Sequence, residues 1–274
     1  MACAVCGGTG FVIVSRDGRD FAERCACARP DVSTEESFLA TCRIPPRYEL
    51  CTLANFDPWT RVHTAALRQG MSYCNGYPFL GTSEGLGLLL SGPTGTGKTH
   101  LAVGVLRELF HTKSVRGQFW DFHELMREIR RSYDPETKTT EYQVLSPVIE
   151  TDVLLLDDLG AWRVTDWMND TLFHIVNKRY LARRATFITT NFIDKKPEEA
   201  REAGDSHRRE FFVERIGERL RSRLMEMCLH IVIGGDDFRE RQQVANRNLV
   251  AGTTSVTSET EPPALPGPRP RFGG

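Results

Sequence analysis

Gly92-Pro93-Thr94-Gly95-Thr96-Gly97-Lys98-Thr99 fits the phosphate-binding pattern G-x-x-x-x-G-K-[ST] without a mismatch. The apolar run from Leu86 to Leu90 precedes it and reads as a buried strand. A helix-periodic stretch follows, with Leu101, Ala102, Val105, Leu106 and Leu109 on one face. Strand, loop and helix in that order are what the chemistry requires. Glycines let successive backbone N–H groups turn inward around phosphate oxygens, and a helix N-terminus adds partial positive charge. Lys98 is expected to reach the β- and γ-phosphates of ATP, and the Thr99 hydroxyl to ligate Mg²⁺.

A phosphate loop of this kind needs an acidic element on a neighbouring strand. Val153-Leu154-Leu155-Leu156 is an apolar run of the type buried in a parallel sheet, and it ends in Asp157-Asp158. Strand ends converge on the ligand in open α/β sheets, so these carboxylates fall beside the phosphates. Asp157 is expected to hold Mg²⁺ and Asp158 to polarise the attacking water. Many ATPases place a longer Glu at the second position, so slow intrinsic hydrolysis is expected. Helical periodicity then runs from Thr165 to Leu181, with Met168, Leu172, Ile175 and Val176 on one stripe. Thr186-Phe187-Ile188-Thr189-Thr190-Asn191 reads as a further buried strand. An Asn at that strand end can hold the lytic water or touch the γ-phosphate, although Asn is also a common turn residue.

The first residues carry a separate signal. Cys3-x-x-Cys6 is followed by Gly7-Gly8-Thr9-Gly10, and Cys25-x-Cys27 closes the segment. Two close pairs flanking a hairpin-like stretch (Phe11 to Val14, then Asp17-Gly18) match a four-thiolate Zn²⁺ site. Four unconnected structural cysteines is the competing reading. So short a segment has too few apolar residues for a core of its own, which favours the metal. Cys42, Cys51, Cys74 and Cys228 have no ligand spacing and read as small core residues.

The 274 residues carry 35 Lys and Arg against 36 Asp and Glu, a net charge of −1. A basic surface for nucleic acid must therefore be local. The segment His123 to Tyr133 reads as a helix with Arg127, Arg130 and Arg131 away from the apolar Leu125, Met126 and Ile129. Tyr133 offers a stacking platform, and Arg183-Arg184 form a second basic spot. A solvated charged helix face is the alternative. No base-reading motif is present, so DNA binding is expected to be backbone-led and salt-sensitive. The apolar runs are too short to cross a bilayer and there is no secretory apolar segment, so a cytoplasmic chain with no membrane partner is expected. The expected layout is a zinc module over residues 1–30, a linker over 31–56, an ATPase domain over 57–244 and a disordered Pro, Gly, Ser and Thr-rich tail over 245–274.

Arg215, Arg219 and Arg223 are spaced by four, which aligns them on one face of a helix. Glu210, Glu214 and Glu218 interleave with them, so spacing alone equally describes a salt-bridged surface.

The motifs G-P-T-G-T-G-K-T-H, V-L-L-L-D-D-L-G, N-K-R-Y, F-I-T-T-N and R-I-G-E-R-L-R-S-R-L follow one another in this order. Together, from roughly Arg43 to Arg239, they resemble the AAA+ ATPases of the DnaC/DnaI helicase-loader and IstB type. The resemblance implies an α/β fold, a P-loop AAA+ domain with a parallel sheet flanked by helices, here preceded by a small zinc-binding module. It implies Asn191 as a sensor of the γ-phosphate and Arg223, with Arg219 one turn earlier, as a finger acting on a neighbour's ATP. It further implies a homo-oligomer in the ATP state, assembly on single-stranded DNA and a replicative hexameric helicase as partner. A transposition helper acting on duplex DNA with a transposase is the second reading. A small-molecule phosphotransferase is the third, and the chain has no lid or acceptor-site motif for it.

Overall fold

The computed structural model describes residues 11–16, 19–24, 35–80, 83–84, 86–162, 164–192, 194 and 211–240. The cysteine pairs Cys3/Cys6 and Cys25/Cys27 and the tail from Ala251 lie outside these residues. Between the cysteine pairs, β1 (Phe11–Arg16) and β2 (Arg19–Arg24) form an antiparallel hairpin that pairs Phe11 with Arg24. The chain therefore enters and leaves the hairpin at the same end.

Helices α1 (Glu35–Cys42) and α2 (Arg61–Gly76) come next, then the two-residue strands β3 (Phe79–Leu80) and β4 (Ser83–Glu84). From there strands and helices alternate: β5 (Gly87–Ser91), α3 (Lys98–Lys113), β6 (Gly117–Asp121), α4 (Phe122–Arg131), α5 (Glu141–Glu150), β7 (Val153–Asp157), α6 (Asp166–Leu181) and β8 (Ala185–Thr190). The short helix α7 (Phe212–Ile216), α8 (Glu218–Met227) and β9 (Cys228–Val232) complete the order. The apolar runs read from the sequence are β5, β7 and β8. They join β6 and β9 in a five-stranded sheet ordered β6-β7-β8-β5-β9, with every pairing parallel. The expected α/β class, a parallel sheet flanked by helices, is the observed one, while the cysteines of the expected zinc module lie outside the described residues.

Successive strand side chains point to opposite faces, so each run supplies two cores. Leu88, Leu90, Val153, Leu155 and Phe187 pack with α1, α2 and α3. Leu89, Leu154, Leu156 and Ile188 pack with α4, α6, α7 and α8. Both faces of the sheet are covered, as strands without polar alternation demand. Helix α3 goes further than its expected stripe: Val103, Gly104 and Arg107 are buried along with the predicted face.

The segment expected as a linker is, from Glu35, part of this core. Phe38 and Cys42 are fully buried, as are Ile44, Cys51 and Phe56 to within a few per cent, and all pack into the α3 side. Arg107 of α3 holds the segment by donating to the Cys51 carbonyl (2.8 Å) and to Glu49 O, with its guanidinium over the Phe38 ring. The sequence shows these apolar residues as isolated, because their partners lie far away in the chain. The four described cysteines are free and buried, and burial pushes the Cys42, Cys74 and Cys228 thiols up to about 12 and Cys51 to about 11.

Arg179 of the N-K-R-Y motif is a structural pin. It is fully buried and donates to the carbonyls of Val148, Ile149, Thr151, Asp152 and Ala185 and to Thr186 Oγ1. One planar cation thus gathers the end of α5 and the starts of β7 and β8, satisfying carbonyls that the helix end leaves open. Among the described residues, no helix is long and apolar enough to cross a membrane.

Candidate nucleotide site

The phosphate loop runs from the end of β5 to the first turn of α3, whose first residue is Lys98. Gly97, at the N-cap, has φ 88°, a left-handed conformation that L side chains rarely adopt. A Cβ there would also come within 2.9 Å of the Phe56 ring, so the loop fits closely against the chain before α2. Thr96 Oγ1 and Lys98 Nζ both donate to the Pro93 carbonyl, at 2.9 and 2.7 Å. Lys98 as a residue is 6 % exposed, its ammonium turned back onto the Pro93 carbonyl of its own loop.

Because β8 lies between β5 and β7, the ends of all three strands meet at the loop. Thr99 Oγ1 donates to Asp157 Oδ1 at 2.8 Å, and Thr189 Oγ1 donates to the same oxygen at 2.6 Å. Thr189 also accepts from the Asp158 backbone N–H at 2.9 Å. Asn191 Nδ2 donates to Asp158 Oδ1 at 2.6 Å. Lys98, Thr99, Asp157, Asp158 and Asn191 are therefore assembled at one end of the sheet. Thr189 was not expected: it reads as one more buried strand residue, and only its place beside Asn191 hints at the site.

Burial pushes the Asp157 carboxyl up to about 6, against the lowering effect of its bonds from Thr189 and Thr99; the nearby Asp158 and Asp121 charges raise it further. A buried carboxylate beside a threonine hydroxyl, short of positive charge, suits a hard divalent cation with oxygen ligands. A bound cation would hold Asp157 ionised. Asp158 has φ 59°, so the turn after β7 aims its carboxylate at Asn191 and not along the strand.

The arginines are arranged differently from their spacing. Gly217, at φ 78°, ends α7 and starts α8, so one helix does not carry all three. Arg215 lies on α7 over the Phe192 ring, 4.8 Å from its centroid. Arg219 and Arg223 share α8 and lie over Phe173 and Tyr180 of α6, at 4.1 and 3.9 Å. Arg223 also pairs with Glu226 at 3.4 Å, and the Tyr180 hydroxyl donates to the same carboxylate. Phe173, Asn177, Arg219, Ser222, Arg223 and Glu226 line an open cavity of about 350 Å³. The described contacts of both arginines are with α6 and α8 and not with the phosphate loop of their own chain.

The motif order and this geometry correspond to a known family, whose sequence pattern, the IstB-like ATP binding protein, matches residues 71–246. The chain belongs to that family. It is 29% identical over 159 residues to the replicative helicase loader DnaI of Bacillus subtilis, a match covering 58% of this chain and 49% of DnaI. The chain thus spans about half of that relative. It is 23% identical over 205 residues to the replicative helicase loader DnaC of Escherichia coli K12, covering 72% of this chain and 73% of DnaC. A crystal structure of the DnaC helicase loader superposes with a TM-score of 0.57 at 30% identity, covering 69% of this chain and 99% of that one.

The basic helix expected over His123 to Tyr133 is α4, ending at Arg131, with Arg127, Arg130 and Arg131 exposed and Leu125, Met126 and Ile129 buried. Tyr133 is 48% exposed, its hydroxyl donating to Glu141.

Proposed function

We propose that this IstB-family chain is a Mg²⁺-dependent ATPase that acts in DNA replication as a loader of a replicative hexameric helicase on single-stranded DNA. The observation that carries the ATPase reading is the cluster of Thr99, Asp157, Asp158 and Asn191 around the end of the phosphate loop. Thr99 and Asp157 would hold Mg²⁺, whose part is to neutralise charge on the phosphates. Lys98 leaves the Pro93 carbonyl for phosphate oxygens. Asp158 takes the proton of the attacking water, and Asn191 orients Asp158 and senses the γ-phosphate. Arg219 and Arg223, turned away from their own loop, serve a neighbouring subunit in an ATP-state oligomer, Arg223 as the finger. The helicase as partner is supported by the resemblance to the replicative helicase loaders DnaI and DnaC, and single-stranded DNA is the substrate this reading adds.

The four-cysteine segment is the module that recruits a protein partner, with Cys3, Cys6, Cys25 and Cys27 holding one Zn²⁺. It precedes an ATPase unit that begins near Glu35. Metal analysis of purified protein and of Cys3→Ser and Cys27→Ser tests this: about one zinc per chain is expected, and a metal-free wild type contradicts it.

The match to the IstB-like family keeps open the second reading, a transposition helper acting on duplex DNA with a transposase. ATP turnover with each form of DNA separates the two. Stimulation by single strands, together with co-purification of a hexameric helicase, supports the loader. Stimulation by duplex alone, with a transposase retained, supports the helper.

A further inference from the structure

Helix α8 has a second charged face. Arg221 lies between Arg219 and Arg223 in sequence, and at two residues from each it points to the opposite side of the helix. There its guanidinium takes both oxygens of Asp194, Nε to Oδ1 at 2.5 Å and Nη2 to Oδ2 at 2.9 Å. The pair is largely withdrawn from water, with the Asp194 side chain 7% exposed and that of Arg221 23%.

Asp194 stands three residues after Asn191, on the chain leaving β8. One end of this segment is bonded to Asp158 in the nucleotide site, and the other end grips α8. Between them, Phe192 carries the Arg215 guanidinium of α7 on its ring, and Gly160, just after Asp158, packs against Phe192 and Arg215. The stretch from Asn191 to Asp194 is thus attached both to the acid that faces the γ-phosphate and to the helix bearing Arg223.

We propose that the Asp194–Arg221 ion pair is a positioning device that sets the reach of Arg223 toward a neighbouring subunit according to the nucleotide held in its own site. A bidentate arginine–carboxylate pair fixes orientation as well as distance, which a single contact between exposed side chains does not. When a γ-phosphate draws on Asn191, the displacement passes through Asp194 to Arg221 and turns α8, which carries Arg223 on its other face. Each subunit's ATP then prepares the finger that serves the next. Asp194 and Arg221 touch no substrate. They act through Arg223, and the proposal rests on the reading of Arg223 as a finger in trans.

The test uses full-length chains in mixed assemblies. A donor carrying Asp158→Asn, expected to hold Mg-ATP while turning it over slowly, supplies an intact Arg223, and an acceptor carrying Arg223→Ala supplies an intact phosphate loop. Asp194→Asn is then added to one chain or the other, with co-assembly and thermal midpoints measured for every mixture. In the donor it is expected to lower the kcat of the restored turnover roughly 10-fold or more with KM for ATP unchanged, since misplacing a catalytic group by about 1 Å can cost about 10²-fold. In the acceptor it is expected to cost clearly less. A charge-reversed donor, Asp194→Arg with Arg221→Asp, is expected to recover much of the loss, which controls for misfolding of the single variant. Equal losses in donor and acceptor, an undiminished Asp194→Asn donor, or a reversed pair no better than the single change would overturn the proposal. If the unmodified donor and acceptor co-assemble without restoring turnover, the finger reading is wrong and the positioning device falls with it.

Discussion

At the scale of single residues, the site rests on Lys98, Asp157 and Asp158, and each makes a separable demand. Lys98 is buried against the Pro93 carbonyl and is the loop's own cation. Lys98→Ala is expected to leave the fold intact and weaken ATP binding by roughly tenfold to a hundredfold, the scale of a lost hydrogen bond to a charged group. Titration with a fluorescent ATP analogue checks this, and wild-type affinity in a folded variant contradicts it. Asp158→Asn keeps the shape and removes the proposed base. It is expected to bind Mg-ATP normally and to lose about 10²-fold or more in kcat, the range general-base catalysis supplies. Unchanged turnover would move the water-polarising role to another group. These residues were legible in the sequence because phosphate and cation chemistry fixes residue types at fixed spacings after a strand. Thr189 was not, because a hydroxyl in a buried strand looks the same whether or not a carboxylate lies beside it. The Asp194–Arg221 pair was hidden for a plainer reason: its partners are 27 residues apart in the chain.

At the scale of elements, apolar runs bounded by polar residues marked β5, β7 and β8, and periodicity marked α3 and α6. The sheet order was not readable, since parallel strands pair across long crossovers and no local signal specifies the neighbour. Strand β9 escaped notice because Leu229 and His230 are only partly buried at the sheet edge and its polar and apolar residues mix. Regular spacing misled at Arg215, where Gly217 breaks the helix that would have aligned it with Arg219 and Arg223. Arg179 gives this scale its sharpest prediction. Arg179→Met fills similar space but leaves the carbonyls at the end of α5 and the starts of β7 and β8 without their donor. With buried unsatisfied groups costing about 1–3 kcal/mol each, a loss of about 3 kcal/mol or more is expected. Denaturant unfolding measures it, and a change within about 0.5 kcal/mol, typical of surface substitutions, would deny Arg179 its role as a pin.

At the scale of the whole molecule, one sheet end holds the nucleotide machinery while Arg219 and Arg223 look elsewhere, onto the aromatic side chains of α6. On the proposed reading the parts for hydrolysis are split between copies, and turnover would depend on assembly, because the arginine that neutralises developing phosphoryl charge would come from a second copy. The most direct measurement is ATP turnover by Arg223→Ala, by Lys98→Ala and by their mixture at equal total concentration and at ATP high enough to fill the weakened Lys98→Ala site, with co-assembly verified. Each variant alone is expected to be slow, Arg223→Ala by on the order of 10³-fold, the usual worth of such a finger. The mixture is expected to regain a substantial part of the wild-type rate, as intact Arg223 side chains meet intact phosphate loops across the subunit boundary. A surface arginine whose only part is to hold Glu226 and cover the Tyr180 ring would leave the ATPase of Arg223→Ala almost fully active, as expected for a surface pair worth about 1 kcal/mol or less. That result, or a slow mixture of variants that do co-assemble, would contradict an ATPase completed by its neighbour.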